Sequence, residues 1–288
     1  MVCDDDGNVV VEAMSGELAQ ATAMSTGRRV AVILPPGEAL ATDSDAPAKG
    51  AAKLAQVVPY ALEERVADEI EQLHFAIGDR NSVTGRVPVV VLERARLEAH
   101  LAELRAAGLN PQAIYSAATL LPTMPGQMIG LLEGDTLTLR TPDTPPLVLP
   151  ALSIADAFEM ALSTQISAVA GLEPAPLGWL LYAGHDEWGA HQLKIDAFRD
   201  RFTGMKVQLL PRGSLSVLAS AAAADDAVNL LQGALAVSSP TELTWRSWRV
   251  AAVLAASLLC LHLGARFYEL NRLRKVESSL DAGIEQAF

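Results

Sequence analysis

Two cysteines in 288 residues, Cys3 and Cys260, are too few for a disulfide framework, and no Cys/His spacing of a zinc site accompanies them. One is near the start and the other inside the most apolar stretch, so no bridge between them is expected. Basic residues are scarce: 22 Lys and Arg stand against 34 Asp and Glu, a net charge of −12. Such a field disfavours nucleic acid as a partner and favours solubility of the region that carries it. The first thirty residues lack a basic segment followed by an apolar one, and open instead on Asp4-Asp5-Asp6-Gly7, so no secretory signal is read there. A P-loop, a serine nucleophile elbow, an HExxH motif and an internal repeat of 20–50 residues are all missing.

What is present is one long uncharged run. The 16 residues from Val250 to Ala265 lie between Arg249 and Arg266, with Trp245 and Trp248 before them and Phe267 and Tyr268 after. As a helix they reach roughly 24 Å, a little short of a ~30 Å hydrocarbon core. The shortfall closes if Trp248 and Phe267 lie at the interfaces and the two arginines snorkel outward. A buried core helix would also be apolar all round, but bounding arginines and aromatic girdles favour a membrane span over 249–266. Arg246 and Arg249 precede it and Arg266, Arg272, Arg274 and Lys275 follow, which taken alone would orient the tail inward. Moving about 245 folded residues across a membrane without a signal is the larger obstacle. The expected topology is therefore a cytoplasmic N-terminal region and a short tail on the far side.

The remainder reads as strands mixed with helices. Strands are expected at Asn8–Glu12, Arg29–Leu34, Leu73–Ile77, Pro88–Leu92, Gly178–Gly184 and Lys206–Leu210, and a hairpin at Ile129–Arg140 around Glu133-Gly134-Asp135. Residues 48–71 read as helical, with Pro59 interrupting them or capping a second helix. In that second helix Leu62, Val66, Ala67 and Ile70 share one face, and Glu63, Glu64, Asp68 and Glu71 fall largely on the other. Helices are also expected at Arg94–Ala107, ending at Gly108, at about Ser153–Ala170, near Gly189–Phe202 and over Ser216–Ala224; a Pro-rich connection covers Thr141–Pro150. This order gives two α/β lobes.

Candidate chemistry is thin. Asp4-Asp5-Asp6-Gly7-Asn8 before a strand resembles a phosphate hairpin of the actin-type ATPases, and a plain β-turn needs the same residues. Gly184-His185 sits where such folds keep a glycine pair against a nucleotide, but the second glycine is replaced by a bulky side chain. The hairpin at 129–140 lacks an early Asp-x-Gly. His185 and His191, with Asp186 and Glu187 between, lack the spacing of three or four that sets two ligands on one helix face, and read as a solvated loop. His262 within the apolar run is accounted for by a helix–helix hydrogen bond or a position near the far interface.

One resemblance spans nearly the whole chain. Pro59-Tyr60-Ala61-Leu62-Glu63-Glu64, then Leu73-His74-Phe75, and finally Asn229-Leu-Leu-Gln-Gly233 ahead of the Trp/Arg-flanked span, are similar to the protein L family of type II secretion systems. The resemblance implies an actin-like (RNase H-type) two-lobed cytoplasmic domain over 1–240, a juxtamembrane linker over 241–248, a transmembrane helix over 249–266 and the start of a periplasmic helical segment over 267–288. It implies a bacterial inner-membrane scaffold with no enzymatic activity, no cofactor and no metal. Such a scaffold holds the secretion ATPase, protein E, and pairs with protein M and with protein C or pseudopilins through its membrane and periplasmic parts; a homodimer is expected. The alternative is an actin-like ATPase that binds nucleotide itself. Against the family pattern, the chain begins almost inside a strand and stops at Phe288, before the periplasmic domain.

Three sets of residues carry the interaction expectations. Glu63, Glu64, Asp68 and Glu71 would meet a basic surface on the ATPase, or form a solvated face. Trp245, Trp248, Arg249, Arg266 and Phe267 would mark the membrane interfaces. Leu270, Leu273 and Leu280 recur at helical spacing in the tail and would pair with a second helix.

Overall fold

In β-strand segments that alternate valines and leucines on both faces, neither side can face water, and helices must cover both. A computed structural model of the chain describes residues 1–4, 7–151, 154, 156–161, 178–224, 227–237, 253–254, 256–264 and 266–268. They belong to two units, Met1–Leu235 and Ala236–Phe288.

The first unit opens with a hairpin of β1 (Val2–Cys3) and β2 (Val9–Val11), followed by helix α1 (Leu18–Ser25) and strand β3 (Ala31–Leu34). Pro35-Pro36-Gly37 ends β3 in a 3-10 turn, and β4 (Leu40–Ser44) leads to α2 (Ala51–Leu62). Next come β5 (Leu73–Ile77), β6 (Val87–Glu93), α3 (Arg94–Ala106), β7 (Ala113–Ser116) and the single turn α4 (Ala117–Leu120). β6 is the centre of an antiparallel sheet in the order β4-β6-β5, while β3 and β7 pair in parallel. The alternation of β6 sorts its two coverings. Val87, Val89 and Val91 pack with Leu54, Val58 and Leu62 of α2. Val90 and Leu92 face the other way, with Leu97 and Leu101 of α3. Gly108 takes φ +81 as the C′ residue of α3, and the Leu109 amide closes back on the Leu104 carbonyl at 2.8 Å.

The second half holds five strands: β8 (Gln127–Glu133), β9 (Thr136–Arg140), β10 (Leu147–Pro150), β11 (Gly178–Ala183) and β12 (Gly204–Leu209). Their order is β10-β9-β8-β11-β12, with β8-β9-β10 an antiparallel meander and β11 and β12 parallel to β8 and to each other. That is the sheet order of a ribonuclease H-type lobe, so the α/β, actin-like class expected from the resemblance holds. One face carries Trp179 and Leu181 against Phe158, Ile195 and Phe202; Ile195 comes from helix α5 (His185–Asp196). Across the sheet, Ile129, Leu131 and Tyr182 meet Tyr115 and Leu120 of the first half and Leu218 of helix α6 (Leu215–Ala223). Arg140 also joins the halves: its Nη1 donates to the Thr119 carbonyl at 2.7 Å and to that of Leu121.

Several expectations change. Pro59 neither breaks nor starts a helix; α2 runs through it, because Leu54, Val58 and Leu62 form one buried seam across that point. Past Leu62 the chain makes a 3-10 turn at Glu63–Arg65 and becomes extended at Val66, so the second helix and its acidic face are absent. α5 begins at His185 rather than near Gly189, which puts His185 and His191 on one helix instead of in a loop. The Pro-rich connection contains β10, and β4, β7, α1 and α4 were not expected. Of the helix expected at Ser153–Ala170, residues 156–161 are helical and 162–170 lie outside the described residues.

In the second unit residues 253–254, 256–264 and 266–268 are helical, with Leu254, Leu258, Leu259, Leu261, Leu263 and Phe267 all exposed. Among the described residues no helix is long and apolar enough to cross a membrane. Of the expected span, residues 249–252, 255 and 265 lie outside the described residues.

Candidate functional site

The two motifs that carried the resemblance meet in space. Residues 229–232 lie between the free edges of β7 and β5 and satisfy both. The Ile114 amide donates to Asn229 Oδ1 at 3.0 Å, and the Leu230 amide donates to the Ile114 carbonyl at 2.8 Å. On the other side Gln232 uses its side-chain amide as a strand would use its backbone. It accepts from the Ile77 amide and donates to the Ile77 carbonyl, both at 3.0 Å. His74 completes the joint, with Nε2 2.7 Å from the Leu230 carbonyl. A carbonyl can only accept, so Nε2 carries the proton. This junction is a structural clasp between the edges of β7 and β5.

Burial lowers the His74 pKa, with Arg94 adding to the effect and the Leu230 carbonyl opposing it. A depressed folded pKa means the unfolded chain binds the proton more readily. The stability from His74 is therefore complete above the ordinary value of about 6.5 and is lost as pH falls through the lowered folded value. We expect the melting temperature to fall more steeply in wild type than in His74→Gln between about pH 6.5 and 5. Glutamine keeps a donor for Leu230, so parallel curves would show that His74 is not the titrating group.

Glu63 and Glu64 lie in the 3-10 turn, with Asp68 and Glu71 in the irregular segment that follows; all four are exposed. Asp68 lines a shallow depression. This open pit of about 370 Å³ is lined by Leu40, Val66, Leu73, Val91 and Leu92 together with Glu38, Asp68, Glu93, Arg65 and Arg96. Most of the charges lining it already have partners. Glu38 is 2.7 Å from His100 Nε2, and Arg96 is 4.0 Å from Glu93. Arg65 reaches the Asp43 carbonyl at 2.8 Å, Thr42 Oγ1 at 2.6 Å and the Asp43 carboxylate at 3.9 Å. Sequence spacing missed the pit because its lining comes from many separate elements, among them β4, β5, β6 and α3.

The elements that suggested a nucleotide make close contacts within the chain. In the first hairpin the Asn8 amide donates to Asp4 Oδ1 at 2.7 Å, and Gly7 turns at φ +81; Asp5 and Asp6 lie outside the described residues. A Cβ on Gly7 would come within 2.8 Å of Ser220 Cα, so this turn packs directly on α6. The second hairpin reaches the same helix, with Ser214 Oγ donating to Glu133. At Gly184 the Glu187 carboxylate folds back so closely that a Cβ there would meet its Oε2 at 2.0 Å. His185 is exposed, and His191 is buried with no partner for Nδ1 among the described residues. Among the described residues no three His, Cys, Asp or Glu side chains converge as a metal ion would require.

Of the interface and pairing residues, Arg266 and Phe267 are helical and exposed. Trp245, Trp248, Arg249, Leu270, Leu273 and Leu280 lie outside the described residues.

Comparison with known proteins adds a family. Residues 1–237 match the family model described as Type II secretion system (T2SS), protein L. Protein L of the type II secretion system of Vibrio cholerae serotype O1 is 24% identical over 258 residues, 88% of this chain and 57% of that protein. Its counterpart from Pectobacterium carotovorum is 28% identical over 211 residues, 72% of this chain and 44% of that protein. The chain thus spans about half the length of the curated relatives it matches. Among solved structures, the cytoplasmic domain of EpsL, an inner membrane component of the type II secretion system of Vibrio cholerae, gives a TM-score of 0.55 at 20% identity. That match covers 76% of this chain and 83% of the other, and shows a shared fold.

Proposed function

Because the chain belongs to the type II secretion system protein L family, we propose that it is a platform subunit of the bacterial inner membrane. In this reading the domain over 1–235 stays in the cytoplasm and holds the secretion ATPase, protein E. The apolar helix crosses the membrane once, and the tail contributes to contacts with protein M and other platform proteins. The observation that carries the reading is the family match over 1–237 followed by a helical stretch whose described leucines are all exposed. Exposed apolar surface costs about 25 cal/mol per Å² in water, so a stripe-free apolar helix needs a non-aqueous surrounding.

The domain performs no chemistry in this proposal. α6 lies against both hairpins, and the Glu187 carboxylate closes the glycine turn where a nucleotide's negative phosphates would have to approach. Both features favour a scaffold over a nucleotide-binding ATPase.

Co-expression of the chain with the secretion ATPase, followed by membrane flotation, tests the proposal. Both proteins should float together, and the ATPase should remain in the soluble fraction when the chain is omitted. ATPase that stays soluble in the presence of the membrane-bound chain would overturn it.

A further inference from the structure

We propose that the clasp at residues 229–232 is a tension-operated latch, which opens when the C-terminal arm is pulled and uncovers the edges of β5 and β7, an inference that rests on the scaffold reading above for the source of the pull.

Chain order decides what a pull meets first. The unit Met1–Leu235 ends just past the clasp, so a force entering from the tail reaches the clasp before any strand or α-helix of that unit. The hold is confined to a short segment. On the tail side Gly233 and Ala234 are exposed, and Gly233 turns at φ +59. On the other side α6 ends at Ala223 and Ala224 is exposed. Between these limits Gln232 holds Ile77 through its side-chain amide, and the Leu230 carbonyl accepts from His74. The Leu230 amide donates to the Ile114 carbonyl, and Asn229 Oδ1 accepts from the Ile114 amide. Leu230 and Leu231 are 0% and 6% exposed, packed with Ala76 and Ile114 in one core cluster.

These contacts are loaded one after another. A segment drawn from its end parts from its seat bond by bond, with Gln232 first. β11 is held differently, along the whole of Gly178–Ala183 by β8 on one side and β12 on the other, so its ladders share a load. The clasp therefore yields before the large sheet does. Its release leaves β4-β6-β5 and β3-β7 paired, because neither ladder uses residues 229–232. What appears is an unpaired edge on each of the two sheets, so pulling changes the surface that the domain presents.

Magnetic tweezers on the full chain in detergent test this. One handle is on Glu98→Cys, exposed on α3, and the other on a tag after Phe288, with Cys3 and Cys260 replaced by serine. The clasp then lies between the handles. Release of residues 224–235 adds no more than about 4 nm of extended chain. We expect one reversible step of that size or less before the domain unfolds. Gln232→Ala removes both bonds to Ile77 and should shorten the wait for that step roughly tenfold or more at a given force, leaving the later unfolding force unchanged. Unfolding in a single event with no earlier step, or a step whose timing is the same in Gln232→Ala, would overturn the latch. Neither result touches the flotation experiment, on which the scaffold reading stands or falls by itself.

Discussion

Asn229→Ala lowers the melting temperature by roughly 5–15 °C, an effect large for one partly exposed amide. Its Oδ1 accepts two backbone donors, the Ile114 and Leu231 amides, each at 3.0 Å. Alanine leaves both unpaired at a half-buried position, at about 1–3 kcal/mol per orphaned donor. Each kcal/mol corresponds to about 2–4 °C for a domain of this size. Asn229→Asp keeps the acceptor and gives up only the long 3.4 Å contact from Nδ2 to the Gln112 carbonyl. Circular-dichroism melts of the two variants should therefore separate clearly. If Asn229→Asp is as damaged as Asn229→Ala, the shared acceptor is not what holds the clasp.

The second large effect is in the other half. Trp179 is 2% exposed and stands edge-on to Phe158, with ring centroids 4.4 Å apart, while Phe202 lies 5.3 Å away on its other side. Trp179→Ala should cost about 3–5 kcal/mol, from lost transfer energy and from a cavity that the rigid sheet cannot close. Trp179→Phe should be far milder than its volume loss suggests. Among the described residues the buried indole Nε1 has no acceptor, so phenylalanine removes an unsatisfied donor while keeping an aromatic face toward Phe158. Denaturant midpoints in the order wild type, close to Trp179→Phe, well above Trp179→Ala, are expected. Equal losses in both variants would mean that the N–H is satisfied and that volume alone decides.

Where burial was two-sided and the run continuous, the sequence could be read directly. Pro88–Leu92 and Gly178–Ala183 lie in strands because unbroken apolar residues of that length fit a sheet covered on both faces, and α3 follows from its leucines at 97, 101 and 104 and its Gly108 stop. Local pattern failed where distant packing decides. Pro59 looks like a break, yet the seam on either side of it is buried against β5 and β6. β4 reads Leu-Ala-Thr-Asp-Ser, with no strand signal of its own, and exists because β6 offers it an edge. The second motif could be quoted from the sequence, but its role could not. Nothing local says that Gln232 will hydrogen-bond a residue 155 positions earlier. The pit is likewise invisible, since its lining draws on β4, β5, β6, α3 and the turn after α2.

That separation has a consequence for how the protein is made. At a ribosomal rate of about 5–20 residues per second, the wait between the emergence of Ile77 and that of Gln232 is on the order of ten to thirty seconds. Through that interval β5 and β7 each present an open edge to the cytosol, long after β6 and α3 have been available to fold with them. Ribosome-bound chains ending before Asn229 should therefore recruit chaperones strongly, and those extending past Gln232 should release them. The clasp thus acts as a completion signal, separating a nascent chain that still requires shelter from one that has closed its own sheet.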